Sequence, residues 1–370
     1  MTAERTEVSA HRPRLRPGIV FSPPLLRGPA TVHLIRDPAD GSCFEVGPKE
    51  YFLISRLDGT RGLEEIGGEY AAAFGRRLGE ANWRQLLGLL GSRRLLAGAP
   101  AREVTAPPPT PPLSGTLYRG SLRLVADAQA TTGRLHQVLR PLLRRAVLLP
   151  LLALGLTLEA VLAARPGPVL RDTWWLFHQP VALLAVCTLL WLSTAGHELA
   201  HGVAARHYGG TVREIGLRWR LPVAIMYCRI GDYRFLRRRR HQWVIAAAGA
   251  VANLLFLLPF GVWWVLLEPG DPTRRVLSGL LVLGSAQTLV NLLPLPPLDG
   301  YTMVSQLLGA RDLAPDSGRY LRLRLRGEQA AADYPRHARK VYLAYGIGSS
   351  VLVGVIAAAV VTAALVLLTP

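Results

Sequence analysis

The residues best suited to chemistry are two histidines and a glutamate in one stretch, His197-Glu198-Leu199-Ala200-His201. Histidines at positions i and i+4 lie on one face of a helix, where both imidazoles can reach the same metal ion. Zinc accepts imidazole ligands, and a catalytic zinc has three protein ligands and one open position. Glu198 stands between the histidines, placed to take a proton from an attacking water. The stretch therefore predicts a zinc site that needs a third ligand.

The surroundings of this stretch favour a metal site over a chance match. The pattern alone would arise by chance in roughly one chain in a hundred of this length. Here it ends an apolar run, residues 181–196, that is typical of a membrane span. Ionisable side chains inside a membrane are energetically unfavourable and are usually functional. Three of them within about one helical turn indicate a functional site.

A second motif offers the third ligand. Residues 291–300 read Asn-Leu-Leu-Pro-Leu-Pro-Pro-Leu-Asp-Gly and end another apolar segment. The three prolines should break the helix ahead of Asp299, and broken backbone at membrane depth is tolerated only where protein or a water-filled cavity surrounds it. The alternative is an ordinary Asp-Gly turn. We expect the Asp299 carboxylate to lie at the depth of the histidine pair and to complete the site.

His207 is a rival third ligand, because it follows His197 by ten residues, as in the metzincin zinc proteases. That pattern also requires a glycine at position 204, where the helix must end. Ala204 stands there instead and is a good helix former, so we expect a structural role for His207. The cysteines show no paired spacing and indicate neither a disulfide framework nor a thiolate zinc site; they are Cys43, Cys187 and Cys228.

The composition indicates a membrane protein with basic loops. The chain has 370 residues, half of them hydrophobic, and a net charge of +18. Such a charge indicates either a nucleic-acid partner or arginine-rich cytoplasmic loops. The arginines concentrate in segments 206–242 and 311–340. The positive-inside rule places both segments and the N-terminus in the cytoplasm and the C-terminus outside, so the charge requires no nucleic acid.

The predicted fold class is mainly α, a polytopic helical protein of the cell membrane. Each span needs about 20 apolar helical residues. Residues 115–140 are a polar approach to the membrane, with an interfacial helix near 134–140. Alternation in 211–220 predicts a half-buried strand, with 225–230 as its partner in a small membrane-associated β-hairpin. Five spans are predicted within the domain 115–370, at 146–164, 176–205, 243–267, 276–298 and 341–368.

The first hundred residues are predicted to form an α+β domain, 14–99, after a disordered start, 1–13. Residues 31–36 and 42–46 flank a turn sequence and predict a β-hairpin. A hairpin packed on three helices is a winged-helix plan. Pro-rich residues 100–114 should form an extended linker. The predicted helices are 50–57, 62–71 and 81–90, and 94–97 could return as a strand.

The His-Glu-x-x-His stretch and the 291–300 motif together resemble the site-2 protease family of intramembrane zinc peptidases. The resemblance covers roughly residues 145–368 and also rests on Ala248-Gly-Ala-Val-Ala-Asn253. It implies a membrane-dipped sheet after the histidine pair, which could hold an extended substrate by edge pairing. It also implies zinc ligation by His197, His201 and Asp299, general-base catalysis by Glu198, and substrate positioning by Asn291 and Asn253.

Residues 57–66, Leu-Asp-Gly-Thr-Arg-Gly-Leu-Glu-Glu-Ile, resemble a segment of PqqD-like domains. That family binds leader peptides of ribosomally made peptide natural products by adding the leader as an extra strand. The alternative is a generic winged-helix or DNA-binding domain. The resemblance implies a leader-bearing precursor peptide as a partner, besides the lipid bilayer.

Three functions remain open from the sequence. The first is a zinc metalloendopeptidase that matures a ribosomally made peptide, whose leader the N-terminal domain holds. The second is a regulatory intramembrane protease that cuts a membrane-tethered anti-sigma or transcription factor. The third is a non-catalytic, membrane-bound winged-helix DNA-binding regulator. The complete zinc motifs argue against the third, and the PqqD-like segment favours the first over the second.

Overall fold

The computed structural model describes residues 12–37, 41–98, 113–221, 223–231, 233–236 and 238–368. The protein is mainly helical, with small sheets. It divides into two compact units, one of residues 1–109 with 309–370 and one of residues 110–308. The predicted disordered start and Pro-rich linker lie almost entirely outside the described residues.

The N-terminal part of the first unit contains the predicted hairpin. Its strands pair antiparallel with His33 opposite Val46, which confirms the hairpin. Two short preceding strands pair with the first hairpin strand as well. In chain order the elements are β1 (Val20–Phe21), β2 (Leu25–Arg27), β3 (Ala30–Arg36), β4 (Cys43–Val46), α1 (Pro48–Ile54), α2 (Leu63–Phe74) and α3 (Glu80–Ser92).

The three predicted helices of this part are confirmed, with shifts of a few residues at their ends. They pack on β3 through a core that includes Ile35, Ile54 and Ile66. The strand predicted for 94–97 is wrong: among the described residues there, only Leu96 forms a β-bridge. Arg94 adopts a left-handed φ of 58°, which turns the chain as it leaves α3 instead of extending it.

The segment that resembles PqqD-like domains forms the tight connection between α1 and α2. The Asp58 carboxylate accepts hydrogen bonds from the Thr60 hydroxyl and amide and from the Arg61 guanidinium. These donors hold the pKa of Asp58 well below its usual range. Leu57 and Ile66 are buried on either side of the turn. The winged-helix assignment stays a prediction.

The second unit combines a four-stranded antiparallel sheet with a helical bundle. The sheet order is β5-β6-β7-β8 within the described residues. The predicted hairpin of 211–220 and 225–230 is confirmed as β7 and β8. The other elements of this unit precede or follow the hairpin along the chain. In chain order they are β5 (Leu113–Gly115), β6 (Arg119–Arg123), α4 (Ala128–Leu139), α5 (Arg145–Ala163), α6 (Pro166–Leu176), α7 (Pro180–His207), β7 (Val212–Arg220), β8 (Val223–Ile230), α8 (Arg239–Leu266), α9 (Pro272–Asn291) and α10 (Asp299–Leu307).

The sequence prediction missed β5 and β6. Residues 113 and 114 of β5 were assigned to the extended Pro-rich linker, and residues 115–140 were expected to be a polar approach to the membrane. Leu122 of β6 pairs with Leu217 of β7, so the predicted hairpin is half of a larger sheet. A helix is present where the interfacial helix was expected; it is α4, and it begins earlier than predicted. Its Asp127 cap accepts a hydrogen bond from the amide of Ala130, a favoured N-terminal cap.

The last two helices of the first unit in chain order are α11 (Leu313–Leu325) and α12 (Arg336–Leu368). The chain just before α11 runs along the outer edge of β2. The amide of Leu26 donates to the carbonyl of Gly309, and the amide of Arg311 donates to the carbonyl of Leu26. The Gly28 amide also donates to the Asp316 carboxylate of α11 at 2.8 Å. Residues from both ends of the chain therefore build one unit.

Four helices of the described residues are long and apolar enough to cross a membrane, which is compatible with a membrane protein. Five were predicted, and the segment 276–298 is not among the four. Its helix, α9, ends at Asn291, where the proline-rich stretch begins. Polar side chains on α9 bond to neighbouring helices, with Ser285 donating to Glu159 and Gln287 to Thr194, and they lower its apolarity. The four helices are Arg145–Ala163, Pro180–His207, Arg239–Leu266 and Arg336–Thr362.

Candidate metal centre

The structure brings the three predicted ligands to one point in the second unit. The Nε2 atoms of His197 and His201 lie 3.2 Å apart. The Asp299 Oδ2 atom lies 2.9 Å from the first and 3.2 Å from the second. Both histidines are buried, and Asp299 is half-buried. Among the described residues, these form the one group of three or more such side chains that could hold a metal ion.

Helix α8 packs along the face of α7 that carries the histidines. Ser193, His197 and His201 follow one another at intervals of four residues on α7 and so share a face. The Ser193 hydroxyl donates to Asn253 Oδ1 at 3.1 Å. A β-carbon at Gly249 would lie 2.4 Å from the His197 ring. We call this contact between the two helices the α7–α8 seam.

The third contact of the seam sets the tautomer of His201. Its Nδ1 lies 2.7 Å from the carbonyl oxygen of Ile245. A carbonyl can only accept, so Nδ1 carries the proton and Nε2 presents a lone pair to the centre. Carbonyls commonly orient metal-binding histidines in this way. The backbone of α8 therefore leaves the Nε2 lone pair of His201 directed at the centre.

The chemistry of the converging atoms fits a cation. A carboxylate oxygen accepts hydrogen bonds and does not donate them when ionised, and the Nε2 of His201 presents a lone pair. In the described structure, the buried His197 Nδ1 has no hydrogen-bond partner. Imidazole nitrogen and carboxylate oxygen are the donor types that zinc accepts. The two histidines and Asp299 are thus a suitable ligand set for zinc.

Asp299 reaches the centre because the chain breaks between α9 and α10. Residues 292–298 form turns and carry the three prolines, as predicted. Asp299 is the first residue of α10. Gly300 follows it, and a β-carbon there would lie 2.0 Å from the carbonyl oxygen of Leu292. The absence of a side chain at Gly300 therefore permits the close turn that presents Asp299.

Glu198 connects the centre to the edge strand β8. Its Oε2 atom accepts a hydrogen bond from the Cys228 amide at 3.2 Å. A β-carbon at Gly202 would lie 2.8 Å from the Cys228 sulfur, so this glycine permits the close approach of helix and strand. Burial and the nearby Glu198 carboxylate raise the pKa of the Cys228 thiol to about 12. Cys228 is not among the side chains that converge on the centre in the described part of the chain.

The remaining predicted residues lie in different places. His207 Nδ1 lies 3.1 Å from His136 Nε2 of α4, so His207 contacts another histidine instead of joining the ligand group. Asn253 is 1% exposed and belongs to the α7–α8 seam. Asn291 is half-buried at the end of α9.

Several residues of the site were not identified from the sequence. These are Ser193 and the Ile245 carbonyl of the seam, together with the Cys228 amide. Gly249 lies within the 248–253 motif, but its close approach to His197 was not predicted. Ser193 repeats the four-residue interval of the histidines, which is a usable signal. Comparisons of the chain with protein-family models, curated proteins and solved structures find no match.

Proposed function

We propose that the protein is an intramembrane zinc metalloendopeptidase of the site-2 protease type. The observation that carries the proposal is the convergence of His197, His201 and Asp299, since residues about a hundred positions apart bring their possible ligand atoms within 4.8 Å of one another. Glu198 stands beside them on the same helix. Helix α7, which bears the pair, is also one of the four candidate spans. A metal centre on such a helix supports hydrolysis within the membrane.

The chain's own residues supply the remaining parts of the reaction. Zinc held by the three ligands would polarise the scissile carbonyl and activate a water. Glu198 then accepts a proton from the attacking water and passes it to the leaving amine. The Cys228 amide holds the Glu198 carboxylate toward β8. The general base is therefore fixed between the ligands and the sheet.

Strand β8 is a suitable surface for an extended substrate. It is the edge strand of its sheet within the described chain. The Cys228 amide bonds to Glu198, and the Ala224 carbonyl accepts from the Trp191 indole of α7. Both groups therefore point away from β7 but are already bonded to α7 side chains. Alternation gives the backbone of Met226 the same direction, which makes Met226 the point on this edge where a substrate strand would pair. We propose that the substrate is unwound and pairs with this edge, as in strand addition.

We propose that the N-terminal part of the first unit binds the leader of a ribosomally made precursor peptide. Strand β4 pairs with β3 alone among the described residues, whereas Gly309–Arg311 lies along β2. The edge of β4 is therefore the place for an added strand. A tethered leader raises the local concentration of the substrate, so a weak interaction suffices. The arginine-rich segments support a cytoplasmic position for this part.

The test is to trap an uncut substrate. Glu198→Ala removes the proposed base and leaves all three ligands. The purified full-length variant should retain zinc, lose hydrolysis by several orders of magnitude, and capture a precursor peptide in a pull-down. Glu328→Ala, at an exposed position, is the matched control and should cleave normally. Undiminished cleavage by Glu198→Ala, or absence of zinc from the native protein, would refute the proposal.

A further inference from the structure

The end of the sheet farthest from the metal centre carries a cluster of arginines on one face. Arg119 of β6 and Arg220 of β7 are directly opposite each other, and Arg218 is opposite Ser121. Opposite residues share a face, as do residues two apart in a strand. Like charges directly opposite each other are unfavourable unless something compensates them. The three guanidinium groups therefore form a concentrated positive site.

The described residues provide no acidic partner for this cluster. No ion pair joins Arg119, Arg218 or Arg220 to a carboxylate in the described part of the chain. Glu214, on the same face, pairs instead with Arg229 and accepts from the Tyr227 hydroxyl. An open cavity of about 620 Å³ lies over the cluster. It is large enough for an anionic group and is lined by Arg119, Ser121, Arg218, Trp219, Arg220 and Ile225.

The same end of the sheet exposes large apolar side chains. Leu117, Tyr118 and Leu221 are 78%, 72% and 53% exposed. They belong to the β5–β6 and β7–β8 turns, which are joined by a hydrogen bond from the Leu221 amide to the Tyr118 carbonyl. We call these three residues the apolar tip. An apolar tip beside arginines is typical of surfaces that insert into a membrane at the headgroup level.

The position of the sheet agrees with contact with lipid. Trp191 of α7 donates to the Ala224 carbonyl at 2.9 Å, which places this end of the sheet beside a candidate span. The opposite face, with Ile215 and Met226, packs on α4 and α7. The arginine face therefore points away from the helices that hold the metal ligands. Charged groups at such a position need an anion or water as a partner.

We propose that Arg119, Arg218 and Arg220 bind the phosphate of an anionic lipid while the apolar tip inserts among the acyl chains. Guanidinium groups bind phosphate oxygens in a bidentate manner. Charge complementarity and the exposed tip both favour a lipid over a soluble anion. The site holds the sheet against the bilayer independently of any peptidase activity.

The test measures lipid binding by the full-length protein in a neutral detergent. Phosphatidylglycerol and phosphatidylcholine are titrated separately, and bound lipid is counted by native mass spectrometry. Replacing the three arginines by glutamine should weaken phosphatidylglycerol binding on the order of 100-fold, at about fivefold per basic residue. The control replaces exposed arginines of the first unit and should change affinity less than twofold; it is the triple variant Arg322→Gln, Arg324→Gln and Arg326→Gln.

Two further measurements distinguish binding of a lipid phosphate from binding of a soluble anion. Inorganic phosphate at millimolar concentration should not displace phosphatidylglycerol, and Leu117→Ser with Leu221→Ser should weaken lipid binding although all arginines remain. If the triple glutamine variant does not fold, Arg119→Gln alone should weaken binding about fivefold. Equal losses in the site and control variants would overturn the proposal. Displacement of phosphatidylglycerol by inorganic phosphate would also overturn it. So would the finding that binding of a hexaglutamate peptide depends on these arginines while binding of phosphatidylglycerol does not.

Discussion

At the candidate metal centre, the Asp299 carboxylate oxygen and the two histidine Nε2 atoms lie 2.9 to 3.2 Å from one another. The repulsion between their lone pairs must be compensated. Asp299 contacts the Nε2 atoms of both histidines, and the Ile245 carbonyl fixes the proton of His201 on its other nitrogen. A proton would compensate the group in part, whereas a divalent cation bonds to all three ligands at once. Loss of any one of these three side chains should therefore lower the zinc content.

Asp299→Ala should remove zinc from the purified protein. It deletes a proposed ligand, so the affinity should fall by more than the roughly 10- to 100-fold seen when residues that only orient ligands are changed. His207→Ala is the control, because His207 contacts His136 instead of the ligand group. Zinc is counted by elemental analysis. Full zinc in the Asp299 variant together with loss in the His207 variant would move the third ligand to His207.

Gly249→Ala should disturb the centre by one methyl group. The new β-carbon would lie 2.4 Å from the His197 ring, so the ring or helix α8 must shift. Zinc affinity should fall about 10- to 100-fold, as for other changes that misorient a ligand. Gly196→Ala is the matched control, since nothing lies within 4 Å of its β-carbon position. Competition with a zinc chelator measures both, and equal affinities would show that the seam tolerates the methyl.

The sequence predicted the structural features that depend on one local segment, and it did not predict which distant helices and strands pair with each other. The histidine interval and the proline-broken helix before Asp299 are local signals, and both features are present in the structure. Strand β6 was missed because Arg119–Arg123 lacks clear alternation and forms a strand by pairing with β7, almost a hundred residues away. Intervals of four predict that Gly249 and Asn253 share a face of α8, but not that this face meets His197.

The seam should stabilise the pairing of α7 with α8 through Ser193 and Asn253. Both are buried, and interhelical hydrogen bonds in membranes contribute about 0.6 kcal/mol on average and up to about 1.7. Ser193→Ala, Asn253→Ala and the double variant form a cycle whose coupling energy should lie in that range. Thermal unfolding in detergent measures it. A coupling energy near zero would mean that the hydrogen bond contributes nothing to the helix pair.

Residues from the N-terminal and C-terminal parts of the chain form one compact unit. Deleting the N-terminal residues is therefore a poor test of their role. Gly309–Arg311 lies along β2, and Glu45 of β4 forms ion pairs with Arg27 and Arg311. Removing residues 1–105 would delete any leader site and would also deprive Gly309–Arg311 of these contacts. A single change at the edge of β4 is the cleaner alternative, since it leaves the remaining contacts of the unit in place.

Glu45→Pro should abolish the advantage of a leader-bearing substrate. The Asp37 amide donates to the Ser42 carbonyl, and alternation along the hairpin then directs the Glu45 amide away from β3, toward an added strand. Proline removes that amide and blocks pairing at the edge, while the hydrogen bonds between β3 and β4 remain. Glu45→Ala is the matched control, because it loses the same ion pairs but keeps the amide. Rates are compared for a full precursor and for its leaderless core: the proline variant should cut both at one rate, and the alanine variant should still prefer the precursor. Preference retained by the proline variant would show that the leader does not bind at this edge.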